Sequence, residues 1–197
     1  LAHYMQDEKY TDLILNGDIH SHNQKLAGLE TRDQAKVFIY ALLYGAGDGK
    51  LGSIIDGNAK DGAKLRARFM RGLPAYAKLV EKIGRIWVKH GTLPGLDGRR
   101  LHVRSEHSAL NTLLQSAGAI VMKQALVLAT DSLKKADIPY TLVAQVHDEM
   151  QVEVAQEDAE AVGQAFRQGI IDAGTFFDMR CPLDGEYKAG PDWSYTH

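Results

Sequence analysis

Tyr140-Thr-Leu-Val-Ala-Gln-Val-His-Asp-Glu-Met-Gln-Val-Glu-Val154 decides the fold class of this 197-residue chain. Residues 140–145 and 150–154 are rich in β-branched and apolar side chains, and His147-Asp148-Glu149 interrupts them with charge. The pattern predicts a β-hairpin with its charges at the tip. The flanks read differently. Residues 109–135 form one long, strongly apolar helical run, and residues 157–173 form an amphipathic one. The chain is therefore α+β, a helical N-terminal half followed by a smaller antiparallel sheet with helices on it.

Further upstream, Thr31-Arg-Asp-Gln34 has the form of a capping box, with a hydroxyl at the N-cap and Gln at the third helical position. It opens an apolar run over 35–44 that Gly45 and Gly47 close. A basic amphipathic helix is expected over 60–71 and another from Pro74 to His90, then a Gly-rich turn over 91–98 and a short strand over 99–104. Residues 1–17 read as one helix stopped by Asn16-Gly17, residues 19–26 as a second, and 181–193 as holding a final strand.

Composition bounds the function classes. At 45% hydrophobic and 24% charged residues, the chain is an ordinary globular protein. A single cysteine, Cys181, excludes an internal disulfide framework and a cysteine-built zinc cluster, and fits a reducing compartment. The apolar runs are broken by Lys, Gln or Gly before reaching the roughly 20 residues of a membrane span, and no basic-plus-apolar leader opens the chain. A cytoplasmic protein with no membrane partner is expected. The net charge of −2 hides an asymmetry: residues 31–104 carry 15 Lys and Arg against 6 Asp and Glu, a local +9, and the remainder carries −11. A basic lobe suits polyanions. The cations at Lys60, Lys64, Arg66, Arg68, Arg71, Lys78 and Lys82 suit a solvated helical face equally well.

Three constellations carry candidate chemistry. Arg32, Lys36, Tyr40 and Tyr44 recur at every fourth position, so they share a helical stripe about 18 Å long. Two cations near the positive helix end followed by two aromatics suit a ligand with polyphosphate at one end and a sugar and base at the other. An amphipathic helix with a polar face of that composition remains the alternative. His20 lies near in sequence and offers a further donor to the same phosphates. In the hairpin tip, adjacent Asp148 and Glu149 repel one another, which a hard divalent cation such as magnesium relieves, and a solvated turn is the alternative. Asn111 and Gln115, four apart on an apolar helix, either satisfy one another or read the minor-groove acceptors shared by all base pairs.

Together these segments resemble the family A DNA polymerases, the DNA polymerase I family, and most closely the replicative polymerases of podovirus-type bacteriophages. Arg32-x3-Lys36-x7-Tyr44-Gly45 is similar to that family's motif B and Val146-His147-Asp148-Glu149 to its motif C. Asn111-Thr-Leu-Leu-Gln115-Ser-Ala-Gly-Ala119 resembles the helix leading into the palm, and Gly17-Asp-Ile-His20 and Gly95-Leu-Asp-Gly-Arg99 are further local matches. The resemblance implies a helical fingers subdomain over 1–98, with the end of a palm helix at 1–17, and a C-terminal palm subdomain over 99–197. It implies that His20, Arg32 and Lys36 bind the triphosphate of an incoming deoxynucleotide, with Lys36 as acid for the departing pyrophosphate. Tyr40 would lie by the sugar 3′ position and Tyr44 would stack at the template base pair. Asp148 would hold catalytic magnesium with Glu149 assisting, His147 would contact the primer end, and Asn111 and Gln115 the primer–template minor groove.

The likeness also departs from the family. Motif A, with its metal-binding aspartate, is expected to have no counterpart here, since the chain opens at Leu1-Ala-His-Tyr4, just where that motif normally precedes, and no thumb is expected either. His107 stands where bacterial members have Arg. The expectation is a fingers/palm portion of a polymerase that needs an upstream segment or split partner chain carrying motif A. The alternative is a catalytically incomplete remnant that binds nucleotide or DNA. Either reading requires Lys36 and Asp148 to face one triphosphate.

Overall fold

The computed structural model describes residues 1–196. They form two compact units, the first Leu1–Leu114 and the second beginning at Gln115.

The first unit is helical. Residues 1–17 are two helices rather than the single expected one, α1 (Ala2–Met5) and α2 (Glu8–Asn16), because Gln6 turns left-handed at φ 55° and Asp7 then caps α2 by accepting from the Tyr10 amide. Met5 and Tyr10 are both buried. On one continuous helix they would point about 140° apart, so the break lets both reach the core. Helix α3 (Ile19–Ala27) follows an Asp18 cap. Both bonds of the capping box form at Thr31 and Gln34, opening α4 (Arg32–Leu43). Ala35, Phe38, Ile39 and Leu42 recur with helical period and bury one face of α4.

Helix α4 ends at Gly45, which takes φ +78°, and a Cβ there would sit 2.1 Å from the His107 carbonyl oxygen. Only glycine fits that turn. The next helix, α5 (Asp48–Gly52), was not anticipated from sequence. It lies backbone to backbone on α6 (Ala59–Gly72): a Cβ on Gly62 would come within 1.8 Å of the Asp48 carbonyl oxygen. Arg66 reinforces the junction, its Nε donating to Asp48 at 2.7 Å and an Nη to the Ala46 carbonyl at 2.6 Å. Pro74 opens α7 (Pro74–His90), whose buried face is Tyr76, Leu79 and Ile83. At the centre of the core Phe69 meets Phe38 and Tyr76 edge to face, centroids 5.5 and 5.6 Å apart.

Strand β1 (Thr92–Pro94), within the expected turn, pairs antiparallel with β2 (Arg100–His102) and buries Leu93 and Leu101. Helix α8 (Ala109–Lys135) contributes Ala109, Leu110 and Leu113 to the first core and Ala129 and Leu133 to the second. Residues Glu106–Lys135 are long and apolar enough to cross a membrane by length and composition, contrary to the sequence expectation. Part of that helix is buried, with Ala109, Leu110 and Leu113 in the first core and Ala129 and Leu133 in the second.

In the second unit β3 (Thr141–Val146) and β4 (Glu149–Glu153) form the expected hairpin, with Val143 as an extra bulged residue. Helix α9 (Ala159–Phe176) crosses α8 closely, since Gly169 brings its backbone to the Ala125 carbonyl and Ala129. The final strand expected over 181–193 is absent among the described residues. Side chains hold this tail on α9 instead of a ladder. Arg167 donates twice to Asp184, at 2.8 and 2.9 Å, and Tyr187 donates to Glu160 while accepting from Gln164. A Cβ on Gly163 would lie 2.3 Å from the Tyr187 ring, so that glycine makes the seat.

The Arg167 guanidinium lowers the Asp184 carboxyl from 3.8 to about 2, and the Tyr187 hydroxyl lowers Glu160. Depressed carboxylates stabilise above their unfolded values and lose that contribution as pH falls through the folded ones. The tail is expected to release from α9 between pH 3.8 and about 2, read by Tyr187 ring resonances against those of Phe38. A tail that frees only together with the whole fold would refute the strap.

Candidate functional site

The first unit presents Arg32, Lys36, Tyr40 and Tyr44 along the exposed side of α4, opposite the face anchored by Phe38 and Ile39. Tyr40 and Tyr44 leave 48% and 57% of their surfaces open, a large aromatic exposure for two neighbours on one stripe. Lys36 is exposed and has no side-chain partner among the described residues. The 12-residue α4 has its cations at the end where the helix dipole favours anions.

Helix α3 packs on α4 and brings His20 and Asp18 to the same end. His20 is half-buried, and its Nδ1 is enclosed without a partner. Asp18 does two things. Its Oδ1 accepts from the His20 and Ser21 amides, capping α3, while Oδ2 accepts from Arg32 Nε at 2.9 Å and from the Ser21 hydroxyl. The Arg32 guanidinium, and then the Ser21 hydroxyl, hold the Asp18 carboxyl far below the usual aspartate range. One donor of Arg32 is thus engaged and its terminal Nη groups remain available. Sequence reasoning missed Asp18 in this role. An Asp directly before a helix is the signal that could have found its capping half, but its partner Arg32 is 14 residues away.

Asn111 is half-buried in the first turn of α8, and Gln115 is exposed one turn on, on the same side of that helix. Tyr44 ends α4 beside Gly45, so the contact of Gly45 with the His107 backbone also sets the aromatic end of the stripe.

In the second unit the hairpin register pairs Val146 with Glu149, which leaves His147 and Asp148 as the two-residue loop. His147 turns left-handed at φ 53°, costing a non-glycine residue roughly 1 kcal/mol and pushing Asp148 to the tip. Asp148 is exposed and has no side-chain partner among the described residues. Glu149 is half-buried and accepts from Gln151 Nε2 at 2.9 Å. These are hard, acceptor-only oxygens of the kind magnesium takes in ones and twos beside substrate phosphates. Among the described residues no three His, Cys, Asp or Glu side chains converge into a self-sufficient metal cage. The donor set therefore fits magnesium as a shared ion rather than as one held by this chain alone.

Comparison with solved structures finds the same fold in the POL domain of Pol1 from M. smegmatis, a complex with DNA primer-template and dNTP, at a TM-score of 0.81. It is 20% identical in sequence, and the match covers 93% of this chain and 35% of that one. The chain belongs to DNA polymerase family A, whose family model matches residues 1–195. It is 44% identical over 195 residues to a DNA-directed DNA polymerase of Escherichia phage Phieco32, covering 95% of this chain and 32% of the relative. Against the DNA-directed DNA polymerase of Escherichia phage T7 it is 41% identical over 221 residues, covering all of this chain and 31% of the relative. DNA polymerase I of Geobacillus stearothermophilus is more distant, at 26% over 214 residues, 98% of this chain and 24% of that protein. The chain thus spans about a third of the length of its phage relatives.

Proposed function

We propose that the chain is the fingers and C-terminal palm portion of a template-directed DNA polymerase, fingers over 1–98 and palm over 99–197. The portion adds deoxynucleotides to a primer 3′ end together with a segment carrying the rest of the catalytic centre. The observation that carries this reading is the α4 ridge, an exposed row of two cations and two aromatics in a chain of this family.

His20, Arg32 and Lys36 bind the triphosphate, with Lys36 placed to protonate the departing pyrophosphate. Tyr40 lies against the sugar and Tyr44 stacks at the template base pair. Asn111 and Gln115 face the primer–template minor groove, and His147 the primer end. Asp148, with Glu149 beside it, would hold magnesium, which would supply positive charge next to the substrate phosphates. Metal bound there would supply charge neutralisation to the reacting phosphate, as metal ions do in phosphoryl transfer. One carboxylate pair cannot place two ions by itself, and a further acidic residue from the remaining segment completes the set. The outer edge of β3 supports that partner: it has no strand beside it among the described residues, and Val143 is 62% exposed. The phage relatives support action in a bacterial cytoplasm.

Primer extension tests the proposal, using this chain joined to the portion of a phage relative that it does not span. Template-dependent extension is expected. Nucleotide and DNA binding with no extension under any complementation would leave a binding remnant and end the enzyme reading.

Asp18 gives a second, smaller expectation. Asn caps helices as well as Asp does, so Asp18→Asn keeps α3 while removing the charge that occupies Arg32. Deoxynucleotide affinity, measured by calorimetry, is expected to rise about two- to five-fold, the range an exposed ion pair commands. Weaker binding would mean that Asp18 orients Arg32 instead of competing for it.

A further inference from the structure

We infer that the outward stripe of α7, Lys78, Lys82, Arg85 and Lys89, is a rail for the sugar–phosphate backbone of single-stranded DNA, distinct from the nucleotide ridge on α4. It rests on the polymerase reading and adds a surface to it. The four cations are spaced by four, three and four residues. At 100° per residue they fall within about 60° of one another, and they cover about 16 Å of axis with neighbours about 4.5–6 Å apart. Phosphates recur every 3.4 Å or so along each strand of a duplex, and further apart on an extended single strand. A single narrow file of cations therefore matches one backbone better than two.

All four are exposed, and the opposite face of α7 is fixed in the core through Tyr76, Leu79 and Ile83. The row is carried on a rigid element. Lys78, Lys82 and Lys89 have no side-chain partner among the described residues. Arg85 reaches Glu81 at 3.6 Å, with the side chains 73% and 66% exposed, an ion pair too long and too wet to hold the guanidinium. Like charges three and four apart destabilise a helix by as much as opposite charges stabilise it. A merely solvated face normally intersperses several acids, and α7 carries one, Glu81, against the four cations of the stripe. A polyanion lying along the stripe reverses the sign of that destabilisation.

Salt dependence provides the test. Binding of a fluorescein-labelled oligothymidylate of about 20 nucleotides is measured across a range of salt concentrations, since each cation engaged on a single strand contributes about 0.7 to the log–log slope. Replacing Lys78, Lys82, Arg85 and Lys89 together by Gln is expected to flatten the slope by about 3. Replacing Lys9, Lys25, Lys134 and Lys135 by Gln removes the same charge elsewhere and is expected to leave it unchanged. Arginine at Lys78, Lys82 and Lys89 should retain the full slope. Equal flattening by both Gln sets would mean a diffuse net-charge effect and overturn the rail. So would stripe-dependent binding of polyglutamate with oligothymidylate unaffected, or no oligothymidylate binding by the unaltered protein. Deoxynucleotide binding is measured in parallel: if it persists while the stripe variant leaves the slope untouched, the rail falls and the α4 reading stands.

Discussion

Asparagine in place of Asp148 is expected to lower primer extension by about a thousandfold, while deoxynucleotide affinity stays within about twofold of the unaltered protein. Stabilising charge on the reacting oxygens is worth several kcal/mol, and each 1.36 kcal/mol is tenfold in rate, so losing a metal-holding carboxylate costs roughly 4 kcal/mol. Nucleotide affinity should survive because the cations proposed to carry it, Arg32 and Lys36, lie on α4 in the other unit. Folding should survive as well. The side chain is exposed in a turn, and substitutions there normally fall within about 0.5 kcal/mol. Glu149→Gln is the comparison: Glu149 already accepts from Gln151, and its replacement should cost about tenfold. Extension at the unaltered rate with Asn at 148 would remove Asp148 from the chemistry and the hairpin tip from the site.

Local rules made much of this architecture legible. The helix from Arg32 is marked by the capping box at Thr31 and Gln34 and by Ala35, Phe38, Ile39 and Leu42 at helical period, all contained within a dozen residues. The hairpin is legible for the same reason, since its alternation and charged tip are contiguous in sequence. What escaped was decided at a distance. The break at Gln6 carries no glycine or proline, and it exists so that Met5 and Tyr10 can both be buried. Strand β1 ends on a proline and is ordered by its partner at 100–102. The tail, with two Pro, two Gly and two Asp over 181–193, is poor in strand formers, and Arg167 and Glu160 on α9 hold it by side chains. Within the site, the recurrence of Arg32, Lys36, Tyr40 and Tyr44 was visible as a pattern, and the engagement of Arg32 by Asp18 was not. Roles for single residues came from family resemblance, because spacing alone admits a solvated face at each of these positions.

The largest effect on stability is expected at Phe69. Its side chain is 0% exposed and bridges Phe38 of α4 to Tyr76 of α7, so it ties the helix bearing the proposed nucleotide ridge to the one bearing the cationic stripe. Truncation to alanine removes buried area, leaves a cavity and breaks two edge-to-face contacts. Such changes cost about 3–5 kcal/mol, against a total of about 5–15 kcal/mol for a typical domain. Relaxation into the cavity should be poor, because α5 and α6 are already in backbone contact at Gly62 and cannot slide inward. Denaturant unfolding followed by the fluorescence of Trp87, which donates from Nε1 to the Val103 carbonyl in the first unit, should show the loss as a lower midpoint. Phe69→Leu fills more of the space and should cost about half as much. Phe176→Ala, at a position 63% exposed in the other unit, should change stability by less than about 0.5 kcal/mol. A Phe69→Ala protein within 1 kcal/mol or so of the unaltered one would show that the first unit is not organised around this aromatic trio, and would remove the physical basis for treating α4 and α7 as parts of one rigid platform.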